Sequence, residues 1–476
     1  MKNNYRENKP NKQDFETIKN RMRNSSSILR RQKRYILNEE ERQLESFSSK
    51  QLEDILCNIY SHLVNNDVIN AILLMKRVSK SVENGIDILY NRNLFQPIFM
   101  YLNSHKLSDV ISCLNYLGDL IDESFGSISL LLNNDFLNII KKLYIFDDSI
   151  RNGVIILLTK ISNHSEDSCD FLLRCNIINF YSSIPDISIN EYKEHICKTV
   201  RNILNFKVQR NDNITKDLLK ILTKFLFDSK AECKLDIIWS FLYILEESAI
   251  HIDDIIDKSI IEYFIELLWD KNENFNLPIF QIINFVYLDS DTLKTIILES
   301  SLFSCIPNLF PFNNNDYWKE CIFFLTNVAS GSSGEIEVLK NCNILSFIIY
   351  SIVNGIYRVQ DETIYFFRNI AKKESADQIL FWFTKDVVFL FCELLKQGSI
   401  ERNCIILDTL ICALIYSNYS EELCKIILEC SVINAIEESN FHMTDCGYKL
   451  YKDFISILLE EKIPEIENGG NIVYNF

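Results

Sequence analysis

Apolar side chains recur along most of this chain at the spacing of a helix. In IIEYFIELLWD (260–270) and ILSFIIYSIVNG (344–355) they fall at i, i+3, i+4 and i+7, on one face of an α-helix. Such runs open repeatedly on an apolar pair after a short polar break: Phe136–Leu137, Ile177–Ile178, Ile260–Ile261, Leu302–Phe303, Ile344–Leu345 and Val387–Val388. Successive pairs are 41, 83, 42, 42 and 43 residues apart, and 83 is two periods. The pattern predicts a repeat of about 42 residues holding two or three helices. One such unit cannot bury its apolar face alone. Neighbours must therefore stack, which predicts an α-solenoid with an extended concave face. Armadillo and HEAT arrays both fit that period.

Composition agrees with helices. With 11 glycines and 7 prolines in 476 residues, the chain has few of the residues that tight hairpins need. Its 15 cysteines show no CxxC and no framework spacing, and no secretory signal precedes them, so reduced thiols packed as small apolar groups are expected, in cytosol or nucleus. No apolar run of transmembrane length is free of charges, so no membrane span is expected. The chain has no GxxxxGK[ST], HExxH or GxSxG, and its 6 histidines form no ligand spacing. A binding protein without cofactor or metal is predicted, not an enzyme.

Charge is unevenly placed around a net value of −16. Residues 1–50 carry 13 Lys+Arg against 7 Asp+Glu, a balance of +6; the rest carries 36 against 58, a balance of −22. The Asn- and Lys-rich start, up to about Lys12, is expected to be disordered on its own. An acidic body argues against direct nucleic-acid binding, which needs cationic surface, and favours basic peptides.

The stretch KECIFFLTNVASGSSGEIEVLKNCNILSFIIYSI (319–352) looks like an importin-alpha armadillo repeat, in which an aromatic-x-x-x-Asn pair precedes ASG and a polar linker. CKLDIIWSFLYILEESAIHIDDIIDKSIIEYFIELL (233–268) resembles the fifth repeat of that family, with Trp239 followed by Tyr243. Anchored on these two, the pair positions fall at 115, 156, 198, 239, 281, 323 and 365. ILDTLICALIYSNYSEELCKIILECSVINAIEE is similar to the ninth and tenth repeats, and RMRNSSSILRRQKR (21–34) to the importin-beta-binding segment that precedes them.

The resemblance implies an all-α fold: an armadillo-repeat, right-handed superhelical solenoid of about ten three-helix repeats. Residues 1–46 would be a disordered basic arm, 47–460 the array and 461–476 a tail. It further implies a nuclear import adaptor that shuttles between cytoplasm and nucleus. Its expected partners are basic nuclear-localisation-signal cargo, importin-beta through Arg21, Arg23, Leu29, Arg30, Arg31, Lys33 and Arg34, and the family's nuclear export receptor through the C-terminal repeats. In the family's groove, aromatic rings flank cargo cations, asparagines hold the peptide backbone, and acids select Lys and Arg.

The chain departs from that family at the major cargo site. There the Trp/Asn pairs read Asn115/Asp119, Ile156/Lys160 and Lys198/Asn202, so the tryptophans are missing. Lys160 and Lys198 put positive charge where a cationic peptide should lie, and His164 stands at the family's key aspartate. Asn202, Trp239 and Tyr243 remain as a degenerate major and central site. The minor site is better kept, with Phe323/Asn327 and Tyr365/Asn369, and acids at Asp291, Glu320 and Glu362. The sixth repeat reads Gln281/Phe285, with Asn284 adjacent. In the arm, Asn38-Glu39-Glu40 replaces the second basic group, so this arm is not expected to occupy its own groove. The alternative reading is an armadillo interaction scaffold without transport activity.

Overall fold

The computed structural model describes residues 47–458, apart from 83, 104–105, 124–133, 145–147, 185, 228–230, 248–249, 271, 310–313 and 440. The predicted arm, with Arg21, Arg23, Leu29, Arg30, Arg31, Lys33 and Arg34, and the predicted tail lie outside the described residues. Among those described, every regular element is a helix. They form two compact units, one ending at Ile177 and the other starting at Ile178.

The first unit holds α1 (Ser49–Val64), α2 (Val68–Ser81), α3 (Gly85–Asn91), α4 (Phe95–Tyr101), α5 (Leu107–Glu123), α6 (Asn134–Leu143), α7 (Asp148–Ser162) and α8 (Glu166–Arg174). A capping box starts α1: the Ser48 hydroxyl accepts from the Gln51 N–H, while the Gln51 side chain accepts from the Ser48 N–H. On α2, Val68, Ala71, Ile72, Met75 and Val78 are buried, the stripe that helical periodicity demands. The long helices α2, α5 and α7 pack side by side in that order.

α9 (Ile177–Ser182) falls at the division between the units. The second unit continues with α10 (Asp186–Asn205), α11 (Asp212–Leu226), α12 (Ala231–Glu247), α13 (Lys258–Trp269), α14 (Glu273–Asp289), α15 (Asp291–Glu299), α16 (Leu302–Cys305), α17 (Asn315–Ala329), α18 (Ser333–Asn341) and α19 (Ile344–Asn354). It ends with α20 (Tyr357–Lys373), α21 (Ala376–Trp382), α22 (Lys385–Gln397), α23 (Ile400–Tyr416), α24 (Glu421–Glu429), α25 (Val432–Glu438) and α26 (Asp445–Leu458). From α17 onward each period is one long helix followed by two shorter ones. The long helices α10, α12, α14, α17, α20, α23 and α26 each pack on the next, like rungs of a ladder. From α12 to α23 they start at residues 231, 273, 315, 357 and 400, so the spacing is the one read from the apolar pairs.

Buried aromatic residues fill the space behind the rungs. Phe280 and Phe303 meet Phe324 with ring centroids 6.2 and 5.7 Å apart, and Phe366 meets Trp382 at 5.5 Å. Edge-to-face and offset contacts of this kind add to the large apolar area such rings bury. The predicted interhelix linker ASGSSGE joins α17 to α18, and its Glu335 ties the repeat to the one before. Its carboxylate accepts from Tyr287 Oη at 2.7 Å and pairs with Lys294 at 2.8 Å. A side chain at Gly331 would collide with that carboxylate.

Scarce glycine is replaced in a specific way. Asn66, Asn93, Asn176, Asn343 and Asn418 follow helix ends with φ between 53° and 62°, the left-handed conformation. Asparagine tolerates that region better than other residues with a Cβ, so it closes helices here where glycine commonly does.

Candidate binding ladder

The second unit places the sequence-predicted residues on successive rungs. Trp239 and Tyr243 lie one turn apart on α12, half-buried, with ring centroids 5.8 Å apart. Glu320, Phe323 and Asn327 occupy i, i+3 and i+7 of α17 and are half-buried. Glu362, Tyr365 and Asn369 repeat the same offsets on α20, where Tyr365 is 37% exposed. Residues at those offsets share one helix face, so acid, ring and amide are presented together on two adjacent rungs. Asn202 is half-buried on α10, whereas Lys198, four residues before it, is exposed. Asp291 lies on no rung: it is the exposed first residue of α15.

Side-chain amides tie the rungs to each other. Asn369 Nδ2 donates to the Thr326 carbonyl at 3.0 Å, and Thr326 Oγ1 is 3.2 Å from the Glu362 carbonyl. Asn327 Nδ2 donates to Asn284 Oδ1 at 3.2 Å, and Asn284 Nδ2 points to Glu320, 3.3 Å from its carbonyl and 3.5 Å from Oε2. Each of these amides therefore uses at least one N–H on a rung-to-rung contact. The side-chain oxygens of Asn327 and Asn369 accept nothing from the described residues, which leaves acceptors able to receive a ligand N–H.

Sequence named Asn284 only as the neighbour of Phe285 and did not single out Thr326. Asn284, Asn327 and Asn369 are separated by steps of 43 and 42, which is the signal that could have found Asn284. The amide of the sixth repeat is thus one position ahead of the Gln281/Phe285 pair. Gln281 has a different task, a side-chain hydrogen bond to the Glu320 carboxylate.

The electrostatics of α17 and α20 are unusual for this molecule. Elsewhere charges pair across neighbouring rungs: Arg201–Asp236, Arg368–Asp408 and Arg402–Asp361, each at 2.6 Å. Neither Glu320 nor Glu362 has a cation within ion-pairing distance among the described residues. Burial pushes the carboxyl groups of both up to about 7, against the opposing pull of Lys319 on each; the charge of Glu320 adds to the shift of Glu362. Two half-buried acids of neighbouring rungs, flanked by Phe323 and Tyr365, lack a counter-ion. A Lys or Arg side chain placed between the rings would supply one, with its stem against the aromatic faces.

The first unit treats its charges differently. Lys160 on α7 is 2.8 Å from Asp122 and 4.0 Å from Asp119, both on α5, while Asp119 also pairs with Lys76 of α2. The sequence reading set Lys160 as a positive charge against a cationic peptide; in the structure, acids one repeat earlier pair with that charge. Gly118 helps: a Cβ there would come 3.2 Å from Lys160 Nζ and 3.3 Å from its Cδ, where the side chain crosses α5. Asn115 is exposed and Ile156 half-buried, so no ring stands on these rungs at the predicted positions.

Among the described residues no group of three or more His, Cys, Asp or Glu is placed to hold a metal ion. No single helix among them is long and apolar enough to cross a membrane; α18 and α19 reach that length only together, across an 82° bend.

No known family profile matches the chain, and no curated protein matches it. Among solved structures, the crystal structure of an engineered protein is similar over 76% of this chain and 87% of its own, with a TM-score of 0.57 and 13% identity. Another engineered protein aligns over 53% of this chain and 100% of its own, with a TM-score of 0.44 and 15% identity. The first likeness speaks for the fold alone: an all-α chain of repeating, stacked helices.

Proposed function

We propose that this chain is a divergent importin-alpha-like adaptor: an armadillo-repeat, right-handed superhelical solenoid of about ten three-helix repeats. Its rungs bind an extended peptide containing Lys or Arg, the nuclear localisation signal of a cargo. The observation that carries the reading is the pair Glu320 and Glu362 without counter-ions beside Phe323 and Tyr365, repeated at the same offsets on α17 and α20. Asn327 and Asn369 support it by offering free amide oxygens to a peptide backbone, and Trp239, Tyr243 and Asn202 extend the track. Asp291 joins it from α15 only if the peptide reaches beyond the rungs. The arm at 1–46 recruits importin-beta, the C-terminal repeats serve the export receptor, and the adaptor shuttles between cytoplasm and nucleus. No bond is made or broken and no cofactor or metal takes part.

Two measurements test this. Fluorescence anisotropy with a lysine-rich peptide should show binding that weakens in Glu320→Lys and Glu362→Lys; indifference to both changes removes the groove site. A pull-down with importin-beta should capture the full chain and lose a version starting at Phe47. Failure of the full chain removes the transport reading and leaves the second one, an armadillo scaffold that has left transport. That alternative is favoured by one observation, the ion-paired Asp119, Asp122 and Lys160 where the family's major site needs Trp and Asn.

A further inference from the structure

α10 and α12 are neighbouring rungs of the second unit, and their contact contains two cysteines. Cys197 on α10 and Cys233 on α12 are buried, with their sulfurs 3.1 Å apart. That is closer than ordinary sulfur packing and only about 1 Å longer than a disulfide bond. Cys233 Sγ also lies 3.8 Å from the Lys193 carbonyl oxygen, while Cys169 and Cys392 face carbonyls, at 3.0 Å from the Ser162 oxygen and 3.4 Å from the Cys430 oxygen.

We propose that Cys197 and Cys233 form a redox staple, which hydrogen peroxide closes into a disulfide between α10 and α12 and a thiol reductant opens. In the first step one thiol, as thiolate, attacks a peroxide oxygen. The O–O bond breaks, the sulfur becomes a sulfenic acid, and the leaving oxygen takes up a proton as water. In the second step the other sulfur attacks the sulfenic sulfur. The S–S bond forms, the S–O bond breaks, and a second water leaves. The two sulfurs lose two electrons in total, and the peroxide gains them.

The setting makes the first step slow and the second fast. Burial first, then the neighbouring Cys233 thiol and the charge of Asp236, hold the Cys197 thiol well above its usual range, so thiolate is scarce at neutral pH. Peroxide is small enough to enter when the rungs part transiently. Once one sulfur is oxidised its partner is already in contact, so the sulfenic acid is captured before it can go further up the oxidation ladder. The staple therefore answers sustained peroxide, not a brief pulse. It closes a loop across a separation of 36 residues, which restricts the unfolded chain and raises thermal stability. It also ties together the helices that carry Asn202 and Trp239, but its formation does not depend on what the ladder binds.

Treating the full chain with hydrogen peroxide at alkaline pH, blocking free thiols, and mapping peptides without reductant tests the proposal. A peptide joining Cys197 to Cys233 and a thermal midpoint raised by a few degrees are expected, both reversed by dithiothreitol. Cys233→Ser should lose both while keeping the helical circular-dichroism signal. Recovery of both cysteines as separate blocked thiols, of Cys197 as a sulfinic acid, or of either joined to another cysteine overturns it. The wild-type peptide map decides by itself should the variant fail to fold.

Discussion

Both units stack long helices at a repeat of about 40 residues and pair charges across their rungs, yet α17 and α20 of the second leave two acids without a cation among the described residues. In the first, Lys76, Asp119, Lys160 and Asp122 alternate across three rungs and cancel. In the second, α17 and α20 bring Glu320 and Glu362 together with no cation paired to either. A rung surface that satisfies itself has little to offer a charged ligand, since a newcomer must displace an existing partner. A surface with two uncompensated acids carries an electrostatic cost that a cationic ligand relieves. On the proposed reading, this difference puts ligand binding on α17 and α20 and gives the paired charges of the first unit a structural role.

The largest effect should come from reversing the acids. With both Glu320 and Glu362 changed to Lys, affinity for a lysine-rich peptide should fall on the order of 100-fold, as when a desolvated charge contact is replaced by repulsion. Lys160→Met in the first unit should leave that affinity within a factor of about two. If the first-unit change weakens binding as much as the second-unit change, the contrast is wrong. Anisotropy titrations of the two variants against the same peptide decide it.

Proton binding sharpens the same comparison. Both glutamates have folded-state values near 7, above the unfolded 4.5. The native state therefore keeps protons that the unfolded chain has already released between those values. Stability falls as pH rises through this window, by on the order of 3 kcal/mol per glutamate before the coupling between them is counted. A cationic peptide favours the ionised acids, so its affinity should rise about tenfold or more from pH 6 to pH 8 while the free protein loses stability. Glu362→Gln should raise the thermal midpoint at pH 8 and flatten both profiles. A flat affinity profile in the wild-type chain counts against the unpaired carboxylates as the recognition element.

How much of this could be read in the chain follows from the range of each interaction. The period was visible because every repeat must bury the same apolar stripe, and that demand recurs locally at Ile260, Leu302 and Ile344. Glu320, Phe323 and Asn327 were visible because they follow one another on one helix face over two turns. Asn284 was named only as a neighbour because positions three and four residues along share a helix face, so spacing alone did not choose between Asn284 and Phe285. The ion pairs of Lys160 were not legible for a different reason. Its partners lie a whole repeat earlier, and nothing next to it in sequence marks them, although opposite charges one period apart are a usable sign. The contact of Cys197 with Cys233 is equally remote, and two apolar-face cysteines among many gave no hint of it.

The smallest predicted effect concerns Lys160 itself. Its side chain is 27% exposed, and its partners Asp122 and Asp119 are 60% and 42% exposed. Ion pairs this open to solvent are worth about 1 kcal/mol or less, and salt weakens them. Lys160→Met keeps the aliphatic stem over Gly118 while removing the charge, so it isolates the electrostatic part. The variant should lower the thermal midpoint by a degree or two at low salt, with the difference shrinking as sodium chloride is added. Glu362→Gln should shift it the opposite way at pH 8 and change little with salt, because its cost is burial and not an exposed attraction. The two opposite signs are what distinguish rungs whose charges pair with each other from α17 and α20, whose acids the proposed reading keeps for a ligand. A stabilising Lys160→Met, or a destabilising Glu362→Gln, would erase that difference.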